Sequence, residues 1–141
     1  MDVEDTAQQI VDAAIKVHRS LGPGLLESAY QACLKHELTS RGLRVDCQLP
    51  IALQYDGSPV DVGYRLDLLV EGVMIEVKAV ETLLPIHRAQ LLTYMKLAGH
   101  SLGFLINFNV CNLRDGLKRV VLNHPSGPRR FYRRKPDNIQ K

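Results

Sequence analysis

Two hydrophobic periods divide this chain. In the first forty residues apolar positions recur every three to four. Ile10, Ala14, Val17 and Leu21 form one such row, and Val11, Ile15 and His18 form another. That spacing predicts a helix over residues 3–20. Gly22-Pro23-Gly24 cannot propagate it. A second helix is predicted over about residues 25–40, with Gly42 as its stop.

The period then changes to two. Residues 44–57 read as extended structure bent near Pro50, and "DGSP" at 56–59 reads as a turn. A second extended run spans 60–70, Glu71-Gly72 is a two-residue turn signal, and 73–80 is a third strand. Pro85 opens a third helix over 85–99, stopped by Gly99. Residues 101–110 read as a buried strand and 116–122 as a short further one. The order α-α-β-β-β-α-β-(β) predicts one compact α/β or α+β domain over 1–123. The remainder, 124–141, is a basic tail rich in Pro, Gly and Arg, expected to be flexible.

The third strand, "VMIEVKAV", carries Glu76 and Lys78 two apart and so on one face. If Glu71-Gly72 closes a tight hairpin, Val70 faces Val73. Counting back along both strands sets Asp67 opposite Glu76 and Arg65 opposite Lys78. Leu66, Leu68 and Val70 then share the other face with Ile75 and Val77. Two carboxylates directly opposite one another destabilise a sheet. A hard divalent cation, bound through oxygen, turns their repulsion into coordination. A lysine beside them can hold an activated water or stabilise phosphorane-like charge. The bland alternative is a solvated polar face with chance acids.

Composition narrows the class. At 141 residues, 45% hydrophobic and 23% charged, the chain suits a single ordinary globular domain. No apolar run approaches the ~20 residues that span a bilayer, and the polar start "MDVEDTAQQ" is not a secretory signal, so a cytoplasmic protein is expected. Cys33, Cys47 and Cys111 are odd in number and far apart. They suit neither a disulfide framework nor a CxxC zinc site, and are expected to be buried or half-buried thiols. The net charge of +3 is uneven: the tail from His124 holds +5, leaving −2 on the rest. Arg129, Arg130, Arg133 and Arg134 flank Phe131 and Tyr132, a mixture suited to neutralising phosphates and stacking bases, or simply to solubility.

With Asp67, eight intervening residues and then Glu76-Val77-Lys78 on a hairpin followed by a helix, the chain resembles the PD-(D/E)XK nuclease superfamily. It is most similar to the small bacterial group named for its GxxExxY motif, matched by Gly24-Leu25-Leu26-Glu27-Ser28-Ala29-Tyr30. "YRLDLLVEG", "IEVKAV", "HRAQLLTYMKLAG" and "LGFLINFNV" follow in order, so the resemblance covers about residues 8–122. Gln90 and Tyr94 resemble the QxxxY motif of the RecB-like exonuclease branch. One departure is Leu66, where the superfamily name has proline.

The resemblance implies a restriction-endonuclease-like αβββαβ core, a mixed central sheet flanked by helices. It implies Mg²⁺ or Mn²⁺ held by Asp67, Glu76, the Val77 carbonyl and Glu27. Lys78 would attend the attacking water, and Gln90 would join the catalytic set. Gln90 and Tyr94, four apart on one helical face, would position nucleic acid. Tyr30 and the tail arginines are further candidate substrate contacts. Plainer alternatives exist: Glu27 as a surface acid, Tyr30 and Tyr94 as core, His87 as a solvated helix-start residue, Arg88 as a surface charge.

The implied function is a Mg²⁺-dependent nuclease acting on nucleic acid, DNA above all, and not on membranes. Its small size suggests a homodimer or a larger DNA repair or mobile-element partner around a duplex. Two competing functions remain. One is a non-catalytic nucleic-acid-binding module that keeps the fold; the other is a regulatory partner in a larger assembly.

Overall fold

The structure is a computed structural model that describes residues 2–124. Two helices come first: α1 (Val3–Leu21) and α2 (Glu27–Ser40). The Asp2 side chain caps α1 by accepting the Asp5 amide at 2.9 Å. At the end of α2, Gly42 (φ 85°) lets the Gly42 amide return to the Thr39 carbonyl and the Leu43 amide to the Leu38 carbonyl, a Schellman closure.

The strands are β1 (Val45–Pro50), β2 (Leu53–Tyr55), β3 (Ser58–Val60), β4 (Arg65–Val70), β5 (Val73–Lys78), β6 (Leu102–Asn107) and β7 (Leu117–Val121), with α3 (Pro85–Ala98) between β5 and β6. Five of them form a mixed sheet ordered β1-β4-β5-β6-β7. The pair β5–β6 is parallel and the other three pairs are antiparallel. A parallel pair needs a long crossover, which α3 supplies. This is the mixed sheet with three helices expected for a restriction-endonuclease-like α/β fold.

The tight hairpin is present as predicted. Val70 pairs with Val73, and both turn residues, Glu71 (φ 48°) and Gly72 (φ 86°), are left-handed, as a type I′ turn requires. The extended run 60–70 is not continuous. Residues 58–60 belong to a separate two-stranded sheet with β2, and β4 begins only at Arg65. Gly63 (φ 77°) lies in the break.

The sheet divides the core into two layers. Ile10, Ala14, Tyr30, Leu34 and Leu38 pack on Leu68, Val70, Ile75 and Val77 on one side. Leu91, Tyr94 and Met95 pack on Met74, Leu105 and Val120 on the other. α3 lies very close to β6: a Cβ at Gly103 would stand 3.0 Å from Met95 Sδ and 3.1 Å from the Met74 carbonyl oxygen. Leu66 corrects the expected face, since it packs in the α3 layer, apart from Leu68 and Val70. Residues two apart share a face only in a regular strand. Here the β4–β5 ladder ends at Leu68–Ile75, and Gln48, between the partners of Leu68 and Leu66, is left-handed at φ 53°.

One smaller expectation also changes. The three cysteines are free but exposed, with Lys35 Nζ 3.4 Å from Cys47 Sγ. His124 is bonded to Glu4 Oε2 at 2.8 Å and Ser101 Oγ at 3.0 Å. The rest of the tail, with Arg129, Arg130, Arg133 and Arg134, lies outside the described residues. Among the described residues no helix is long and apolar enough to cross a membrane.

Candidate active site

The site forms where β4 and β5 part. Beyond Leu68–Ile75 two side chains take over from ladder bonds. The Asp67 amide donates to Glu76 Oε1 at 3.0 Å, and the Val77 amide donates to Asp67 Oδ2 at 2.8 Å. Each carboxylate is thereby fixed by the opposite strand and keeps a second oxygen. Glu76 is only 5% exposed because β5 is the central strand, covered on both faces.

That burial has an electrostatic consequence. Loss of solvent, then the neighbouring Asp67 charge, push the Glu76 carboxyl up to about 7. Asp67 is raised as well, mainly by burial, with the Val77 amide, Lys78 and a hydrogen bond from Gln48 acting the other way. Lys78, half-buried at the end of β5, favours the ionised form of both acids, while Glu27 disfavours it.

Glu27 arrives from the opposite layer as the first residue of α2, and its Oε2 lies 3.4 Å from the Ala79 amide. The GxxExxY segment explains how it is held. Tyr30 is fully buried and stacks on Phe108 with ring centroids 4.7 Å apart. Its hydroxyl donates to the Gly22 carbonyl at 2.5 Å and accepts the Leu25 amide at 3.1 Å, fixing the loop that leads into α2. A residue with no exposed surface does not contact substrate, so Tyr30 is a positioning residue and the expected substrate contact is corrected.

From α3, Gln90 Nε2 donates to the Tyr94 hydroxyl at 3.1 Å, and Tyr94 lies within electrostatic reach of both Glu76 and Asp67. His87 caps its helix: its Nδ1 accepts the Leu84 amide at 3.0 Å. The structure thus brings Glu27, Asp67, Glu76, Lys78, Gln90 and Tyr94 to one end of the β4–β5 hairpin.

Two residues escaped the sequence reading. Gln48, left-handed beside Asp67, also donates to Gln31 Oε1 at 2.7 Å, linking the acid to α2. Asn107, buried at the end of β6, accepts the Val80 amide at 3.0 Å and donates to the Val80 carbonyl at 2.9 Å. With the Phe108 amide on the Lys78 carbonyl at 2.9 Å, it fixes the chain just after Lys78. Neither residue carries a spacing signal. Both roles arise from folding.

The donor set suits a hard divalent cation. Asp67 and Glu76 each keep a carboxylate oxygen that their amide bonds leave over, and the surplus of acid over lysine disfavours the metal-free ionised state. Among the described residues no three His, Cys, Asp or Glu side chains gather closely enough to hold an ion on their own. Asp67 and Glu76 could hold an ion as a pair, and Glu27 acts on both through its charge.

A search of curated proteins and a search of solved structures each returned no match. The family model for the PD-(D/E)XK nuclease superfamily matches residues 4–120. That span takes in both helical layers, the carboxylate pair and Lys78, and the chain belongs to the PD-(D/E)XK nuclease superfamily.

Proposed function

We propose that this protein is a divalent-metal-dependent nuclease that hydrolyses phosphodiester bonds of DNA, within the GxxExxY group and with a RecB-like Gln90/Tyr94 pair. The observation that supports this reading is the pair of hydrogen bonds that hold the two acids, from the Asp67 amide to Glu76 and from the Val77 amide to Asp67, with Lys78 alongside. A purely structural hairpin gains nothing from two opposed acids, one of them almost fully buried.

Asp67 and Glu76, with the Val77 carbonyl and Glu27, would hold Mg²⁺ or Mn²⁺, which would supply Lewis acidity and a more acidic bound water. The chain's own groups do the rest. Lys78 orients the attacking water and balances charge gathering on the phosphorane-like state. The backbone clamps at Asp67 and Val80 hold these groups without further reorganisation. Gln90 and Tyr94 position the strand beside the acids. The test is cleavage of labelled DNA and RNA panels with Mg²⁺, Mn²⁺ or chelator, beside Asp67→Ala and Lys78→Ala. Metal-dependent cleavage lost in both variants is expected. Activity that persists in both overturns the assignment.

A further inference from the structure

The face of α3 turned away from the core carries a second apolar stripe. Ile86, Thr93 and Leu97 fall at helical spacing with Gln90 and border a groove of about 500 Å³. Ile86 is 67% exposed, although it sits in a folded helix with apolar neighbours. Leu53 of β2 and Tyr64, in the link before β4, form the facing wall. The Tyr64 and Tyr94 rings are 6.0 Å apart by centroid and tilted by 50°.

Three features identify what this groove takes. It adjoins the carboxylate site, because Tyr94, which lines the groove, lies within electrostatic reach of Asp67 and Glu76. None of its described lining residues is a lysine or arginine, so it does not hold the phosphate backbone. Its polar groups are few and placed as edge contacts. Because His87 Nδ1 accepts the Leu84 amide, the ring proton lies on Nε2, which remains a donor beside the Gln90 amide and the Thr93 hydroxyl. An apolar, aromatic-walled cleft of this volume with a few polar atoms is a small-ligand pocket by its chemistry.

We infer that this groove receives the base of an unpaired nucleotide next to the scissile phosphate, stacked on Tyr64, so that the enzyme acts on single-stranded or unpaired ends. This rests on the nuclease reading of the adjoining acids. A base inside a duplex is already paired and stacked and cannot enter without unpairing. Stacking on an aromatic side chain is tolerant of sequence, so the groove selects strandedness over sequence.

The experiment measures binding in chelator, where no cleavage intervenes, using a short oligothymidylate, its duplex and single-strand versions with one abasic position. Tighter binding of the single strand than of the duplex is expected. Tyr64→Ala should weaken single-strand binding roughly tenfold, the scale of one lost base stack. The salt slope should not change, because the phosphate contacts remain. Tyr64→Phe should bind like the parent. An abasic position that weakens the parent should cost the Tyr64→Ala variant nothing further. Equal affinity of parent and Tyr64→Ala for every substrate overturns the inference. So does an effect of Tyr64→Ala confined to self-association, which makes the groove a contact between copies. A protein that cleaves normally but ignores Tyr64→Ala loses the groove reading alone. One that shows base-dependent binding without cleavage loses the nuclease reading alone.

Discussion

Asp67 and Glu76 are each bonded to the other's strand: the amide of Asp67 reaches the Glu76 carboxylate, and the Asp67 carboxylate takes the amide that follows Glu76. Like charges opposite one another in a sheet normally push the strands apart. Here the ladder has already opened by one position, and the carboxylates occupy the vacated amide bonds. Geometry is thereby fixed without cancelling charge. The chain folds around an electrostatic cost, one that a bound cation would relieve.

Glu76→Gln tests that cost directly. The glutamine Oε1 keeps the Asp67 amide bond while the buried charge disappears. In chelator at pH 8, the variant should melt higher than the parent, by up to about 3 kcal/mol at roughly 1.4 kcal/mol per pK unit. The same variant should have lost metal-dependent cleavage. A lower melting temperature in chelator would show that the Glu76 charge is compensated within the protein alone.

The pH dependence has a defined sign. Glu76 titrates near 4.5 when unfolded and near 7 when folded, so between these values the native state holds more protons than the unfolded chain. Stability is then full below about pH 4.5 and falls as pH rises through 7. Asp67, also raised, acts in the same direction. Glu37 acts oppositely: its hydrogen bonds to Lys16 and Arg41 hold its carboxyl below 4.5, so its contribution is lost on acidification. Metal-free protein should therefore be most stable at mildly acidic pH. Excess Mg²⁺ should flatten the decline between about pH 4.5 and 7, because metal binding competes with the proton. Thermal melts across pH, with and without Mg²⁺, measure this. A decline unchanged by Mg²⁺ would mean that the acids do not bind it.

Lys78→Met keeps most of the apolar stem and removes the ammonium. Cleavage should fall by about 10²–10³, the scale of losing one preorganised charge at a reacting centre. Metal affinity measured by calorimetry should survive, since Asp67 and Glu76 remain. Loss of both together would make Lys78 a folding residue and not part of the chemistry.

Asn107→Leu removes the clamp on Val80 while keeping side-chain bulk. The part-buried Val80 amide loses its partner and the carbonyl keeps only the longer 3.5 Å bond from Asn109 Nδ2, a cost of about 1–3 kcal/mol. A lower melting temperature is expected, together with a cleavage rate reduced at temperatures where the variant is still folded. Normal turnover in the folded variant would detach this clamp from the site.

Much of this was legible in the sequence because local chemistry and tertiary packing agree. Glu71-Gly72 sets the turn and the first three pairs, down to Leu68–Ile75, and side-chain bonds beyond the ladder hold Asp67 beside Glu76. The break between β3 and β4 was hidden, because "VDVGY" alternates like a strand and only Gly63 marks the kink. A two-residue period puts Leu66 with Leu68 because it assumes a regular pleat, and the pleat fails beside left-handed Gln48. Asn107 has no signal at all: its partner, Val80, is 27 residues away. The groove beside Tyr64 was equally hidden, since it depends on where the small β2–β3 sheet settles against α3.

Tyr30 separates holding Glu27 from touching substrate. Its phenol is buried, its ring stacks on Phe108 and its hydroxyl ties the Gly22 carbonyl to the Leu25 amide. Tyr30→Phe keeps the stack and removes both bonds, so a loss of about 0.5–1.5 kcal/mol is expected, since the Leu25 amide is on an exposed residue and can turn to water. Glu27 begins two residues after Leu25, and its charge reaches both Asp67 and Glu76. Loosening this loop should therefore lower the turnover number while leaving the affinity for an oligonucleotide in chelator unchanged. Glu27→Gln should show the same kinetic split without the stability loss, and the double variant should be little worse in turnover than Glu27→Gln alone. If Tyr30→Phe instead weakened oligonucleotide binding and left turnover intact, the tyrosine would belong to the substrate surface after all.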